Sequence, residues 1–143
     1  MKTINIIVDT SVIIKWLLPD EKNDIALKIK KNFSEKQLTV SIPHLTYYEI
    51  GNVLKTAVKR DRINESIAKK LYNALLDLEF VSYATKDLFK LAMSKSLSFD
   101  ISFYDASYLA LSEYLQIPFV TADRKLLNKV KNKFVVDLKK YNV

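Results

Sequence analysis

Apolar positions recur along this chain in two rhythms. Four short runs, INIIV at 4–8, LTVSI at 38–42, IPFV at 117–120 and FVVDL at 134–138, are rich in β-branched and aromatic residues. That is the composition of strands buried on both faces, as a parallel sheet requires. Between them the spacing changes to three and four. In ESIAKKLYNALLDL, 65–78, residues Ile67, Leu71, Ala74, Leu75 and Leu78 share one face of a helix, and Asn64 is placed to cap it. Further helices are predicted over VIIKWLL, capped by Thr10 and Ser11 and stopped by Pro19, and over EKNDIALKIKKNF at 21–33. Another opens at Pro43 and runs to Lys59, with Leu45, Tyr48, Val53 and Leu54 near its apolar stripe. KDLFKLAMSKS turns Leu88, Leu91 and Ala92 inward, Ser102 caps FYDASYLALSEYL, and TADRKLLNKV forms the last helix. FVSY at 80–83 fits a strand or a loop equally well. Strands alternating with helices predict an α/β fold, a three-layer α/β/α sandwich around a mainly parallel sheet. No repeat, low-complexity tract or Ser/Gly linker interrupts the pattern, so a single domain over residues 1–143 is expected.

Composition narrows the chemistry. The chain is 49% hydrophobic and 27% charged, with one Gly and three Pro, as expected of packed regular elements rather than a disordered chain. It has no cysteine, which excludes disulfides and thiolate metal sites. No apolar run approaches the ~20 residues of a membrane span. The start, MKTINIIVDT, carries Lys2 but meets Asp9 without a small-residue cleavage site, so no secretory leader and a cytoplasmic location are expected. Lys and Arg number 23 against 16 Asp and Glu, a net charge of +7. The lysines are dispersed, and alone such a charge serves solubility.

The charge gains meaning beside four acids at the edges of apolar runs: Asp9 in IIVDTS, Glu49 in YYEIGNVL, Asp105 in FYDASYLAL and Asp123 in FVTADRKLL. Ligands of open α/β sheets bind beyond the carboxyl ends of the strands, where Asp9 and Asp123 are expected. Asp105 and Glu49 fall early in their helices and are placed to reach the same crevice. Asp105 and Asp123 also suit a helix start for its dipole alone, a gain of ~0.3–1 kcal/mol. Asp9, directly after Ile6, Ile7 and Val8, must be solvated, hydrogen-bonded or metal-bound, because an unpaired buried charge is prohibitive. If the four converge, their repulsion calls for a cation, and oxygen-only ligands select Mg2+ or Mn2+ over Zn2+. Such an ion suits phosphodiester hydrolysis, and a positive exterior around a negative hole suits a polyanionic substrate.

These motifs resemble the PIN-domain ribonucleases, and most of all the VapC-type toxins of toxin–antitoxin pairs. VDTSVIIKWLLPDE with Asp9, PHLTYYEIGNVL with Glu49, SFYDASYLALSE with Asp105 and TADRKLL with Thr121 and Asp123 stand in the family's order over nearly the whole chain. The resemblance implies a three-layer α/β/α fold, an RNA substrate and a Mg2+ or Mn2+ site. Asp9, Asp105 and Asp123 would carry the ion and Glu49 would ligate it or hold its water. Thr10, Ser11 and Thr121 match supporting positions. It also implies a homodimer and a small VapB-like antitoxin whose tail enters the acidic groove.

Among other residues, His44 is expected to be a partly exposed cap. Tyr47, Tyr48, Tyr104 and Tyr108 are expected in the core or an interface, with stacking on RNA bases as the alternative. Asp20, Glu21 and Asp24 read as solvated, and Asp100 as a loop residue near enough to Asp105 to be a minor site candidate. Lys15, Arg124 and Lys125 are either phosphate contacts or a solvated face. Competing functions are an RNA-processing housekeeping nuclease, a non-catalytic nucleic-acid-binding protein, or a phosphatase. The phosphatase is disfavoured because its nucleophile motif carries a second Asp where this chain has Ser11.

Overall fold

A computed structural model describes residues 3–143; Lys2, weighed above in the reading of a leader, lies outside them. Five parallel strands form one sheet: β1 (Ile4–Val8), β2 (Leu38–Pro43), β3 (Val81–Tyr83), β4 (Phe119–Thr121) and β5 (Val135–Asp137), in the order β3-β2-β1-β4-β5. Seven helices connect them: α1 (Thr10–Leu17), α2 (Asp24–Ser34), α3 (Leu45–Lys59), α4 (Glu65–Leu76), α5 (Thr85–Phe99), α6 (Phe103–Leu115) and α7 (Arg124–Lys129). The alternation of β1 sorts the core. Ile6 and Val8 join the cluster built by α1 to α4, including Trp16, Phe33, Ile50 and Leu54. Ile7 faces the opposite way, with Leu88, Leu109 and Phe119 beneath α5 and α6. Helices therefore cover both faces, and the sheet is parallel throughout, as the continuous apolar runs require. No helix among the described residues is long and apolar enough to cross a membrane.

Local signals placed most boundaries. Asn64 accepts from the Ile67 amide at 2.8 Å and Ser102 from the Asp105 amide at 3.0 Å, each capping the helix it precedes. Other expectations need correction. Pro43 ends β2 instead of opening α3, because the chain stays extended far enough for the His44 amide to donate to the Tyr83 carbonyl at 2.9 Å. Thr10 and Ser11 are not caps but the first residues of α1, since Asp9 takes the cap position. α2 begins at Asp24, after a 3-10 turn over Pro19–Glu21, with Asn23 accepting from the Ala26 amide at 3.0 Å. FVSY resolves into the edge strand β3, paired with β2 alone.

Candidate active site

The strand order reverses at β1: the chain leaves it toward β2 and β3, then returns to its other side as β4 and β5. Such a switch point opens a crevice at the carboxyl ends of the strands. There Asp9, Thr10, Ser11, Glu49, Asp105, Tyr108 and Asp123 line one cavity of about 100 Å3. A larger depression of about 620 Å3, bounded by Thr3, Leu38 and Thr39, lies toward the start of the strands and contains none of these acids.

Each side chain has an identifiable cause for its place. Asp9 occupies the cap position of α1, but its side chain makes no cap bond to the amides of that helix. Its carboxylate turns to hydroxyls instead: Ser11 donates to Oδ1, and Thr121, from the end of β4, donates to Oδ2 at 2.5 Å. These hydroxyls are anchored in turn, since Ser11 Oγ accepts from the Ala122 amide at 2.9 Å and Thr121 Oγ1 from the Asp123 amide at 3.1 Å. The β1 and β4 ends are thus sewn together through one buried carboxylate. Burial pushes the Asp9 carboxyl up to about 7; the two hydroxyls pull it back, and Asp123 and Asp105 raise it further. Asp105, half-buried in the first turn of α6, is also raised, by burial first and then by Asp123, while Ser102 lowers it. Asp123 caps α7 through Oδ1, accepting from the Leu126 amide at 3.1 Å. Its helix-start role and its place in the cavity coexist.

Glu49 projects from the second turn of α3. Its Oε1 accepts from Tyr108 Oη at 2.5 Å and from Thr10 Oγ1 at 3.0 Å. Tyr108, expected in the core or an interface, is 1% exposed, and its hydroxyl also lies 2.8 Å from that of buried Thr46. Burial, then the Glu49 charge, holds the phenol well above its usual range, so it stays a donor. Tyr108 and Thr46 are the site neighbours that the sequence reading did not identify. The signal was present: Tyr108 stands three residues after Asp105 and Thr46 three before Glu49, spacings that share a helix face.

Other candidates lie elsewhere. Asp100 is fully exposed in a left-handed conformation at the end of α5, 3.8 Å from Lys129. Arg124 is held by Asp137 at 2.5 Å and Lys15 stands 3.9 Å from Glu21. His44 precedes α3, exposed and without a side-chain cap bond. Tyr48 and Tyr104 are 82% and 61% exposed, which removes them from the core.

The cavity is rich in acid and poor in countercharge: among the described residues none of the four acids makes an ion pair. Nor do any three His, Cys, Asp or Glu side chains among them form a ready-made metal cage. Both oxygens of Asp9 and one of Glu49 are already engaged by hydroxyls. This donor set fits a hard ion that keeps most of its water and takes one or two carboxylates, the habit of Mg2+, better than one needing full enclosure.

Similarity to known proteins runs over most of the chain. The PIN domain family profile matches residues 6–133. Ribonuclease VapC1 of Mycobacterium tuberculosis is 30% identical over 122 residues, 84% of this chain and 86% of that one. The crystal structure of a Pyrobaculum aerophilum protein has a TM-score of 0.70 at 26% identity, covering 95% of this chain and 85% of that one. A toxin–antitoxin complex from Klebsiella pneumoniae shares the fold, with a TM-score of 0.65 at 16% identity over 96% of this chain and 98% of that one.

Proposed function

The chain belongs to the PIN-domain family, alongside ribonucleases of the VapC type, and from that premise we propose that it is an endoribonuclease, the toxin of a toxin–antitoxin pair, dependent on Mg2+ or Mn2+. The observation that carries this reading is the convergence of Asp9, Glu49, Asp105 and Asp123 on one cavity at the strand carboxyl ends of a chain charged +7. Asp9, Asp105 and Asp123 would hold the ion, with Glu49 ligating it or holding a water. When bound, the ion supplies charge neutralisation at the phosphodiester and lowers the pKa of water in its shell.

The residues of the chain prepare that chemistry. Ser11 and Thr121 fix the Asp9 carboxylate, so its orientation does not depend on the arriving substrate. Asp105 and Asp123 add negative charge that favours a cation over free solvent in the cavity. The net charge of +7 attracts the RNA backbone, whose scissile phosphate the acids alone would repel. A small acidic-cavity-binding antitoxin of the VapB type, a homodimeric assembly and a cytoplasmic location complete the proposal. The first is supported by the neighbouring toxin–antitoxin fold and the others by kinship alone.

Purified protein is expected to cleave RNA with Mg2+ or Mn2+ and to stop with EDTA. Asp9→Asn, which keeps shape and removes charge, should lower the rate by at least ~100-fold. Full activity of that variant would sink the mechanism.

A further inference from the structure

The Glu49 carboxylate has an unequal pair of oxygens. Oε1 accepts two hydroxyl hydrogens, from Tyr108 on α6 at 2.5 Å and from Thr10 on α1 at 3.0 Å. We infer that Tyr108 is a positioning residue: with Thr10 it occupies Oε1 of Glu49, so that this carboxylate offers the acidic cavity a single oxygen, Oε2. The inference rests on the divalent-ion site proposed above and specifies how one of its residues is presented.

Three features favour positioning over a tyrosine that merely fills space. The ring is itself immobilised, stacked on Phe119 with centroids 5.6 Å apart and planes at 15°, so its hydroxyl has a fixed origin. The hydroxyl is backed by Thr46 at 2.8 Å; with the phenol proton committed to Glu49, the Thr46 proton turns toward the phenol oxygen and strengthens it as a donor. Thr10 directly follows Asp9, so the same bonds set Glu49 relative to the carboxylate sewn between β1 and β4. A glutamate chelating an ion through both oxygens would have to break the bonds to Tyr108 and Thr10. Held as it is, Glu49 acts from one oxygen, on an ion or on a water beside it.

The test uses Tyr108→Phe, which deletes the hydroxyl and keeps the ring, and Mn2+ alone as the probe. The melting temperature is followed as Mn2+ is added without RNA, and RNA cleavage is followed in parallel over the same concentrations. The Mn2+ midpoint is expected to rise about 10- to 100-fold in both readouts, with kcat recovering at saturating Mn2+. Glu49→Gln should shift the midpoint similarly, and the double variant no further. Thr46→Val, which reaches Glu49 only through Tyr108, should give a smaller shift in the same direction and serves if Tyr108→Phe does not fold. A wild-type midpoint in these hydroxyl variants, or losses that add in the double variant, overturns the positioning role while leaving the metal site standing. A wild-type protein that responds to Mn2+ in neither readout overturns the proposed function and this inference together.

Discussion

A carboxyl group only 6% exposed, beside two other acids, is costly to ionise, and Asp9 remains in that place because Ser11 and Thr121 share the cost. The consequence is a pH dependence of definite sign. In the unfolded chain Asp9 titrates near its usual 3.8, and in the folded chain near 7. Below pH 4 it is protonated in both states and contributes no difference. Between pH 4 and 7 the unfolded state releases the proton first, so the ion-free fold loses stability as pH rises, by ~4 kcal/mol in total, and the loss is complete above 7. Asp9→Asn should therefore melt higher than wild type in EDTA at pH 8, with the gap shrinking toward pH 4. A gap independent of pH would contradict the assignment. The residues before Asp9 showed that it needed partners, while only the family resemblance pointed to which. Ser11 stands two positions on, but Thr121 lies 112 positions away, and no local periodicity reports a contact at that range.

Elements were legible where their causes are local. Asn64 and Ser102 cap helices through amides three residues on, and both are visible in a five-residue window. Pro43 misled for the converse reason. Its fixed φ suits a helix start and a strand end alike, and the choice was made by pairing with β3, about forty residues later. Edge strand β3, three residues long and half exposed, carries too little apolar pattern to announce itself. Gly51 is the chain's only glycine and sits within α3, exposed, where an added Cβ would meet nothing within 4 Å. Its helical backbone strains no other residue type. Gly51→Ala is thus expected to raise stability by ~0.5–1 kcal/mol, read as a higher urea midpoint with an unchanged slope. A lower midpoint would mean that the surface around Gly51 is not open.

At the scale of the molecule, the fold class followed from alternation alone, whereas the strand order that centres β1 did not, because pairing partners leave no trace in a strand's own residues. Charge acts at this scale too. With catalysis removed by Asp9→Asn, RNA affinity should fall with salt by ~0.7 log units per phosphate contact for each tenfold rise on single strands. Binding indifferent to salt would show that the +7 charge has no part in holding the substrate.

The tie between Asp9 and Thr121 also has a meaning in time. Ribosomes add ~5–20 residues per second, so on the order of ten seconds separate the appearance of the first partner from that of the second. Throughout that interval the carboxylate lacks its Thr121 partner and β4 is missing beside β1. A site assembled in this way cannot be complete on a growing chain that has not yet reached Asp123.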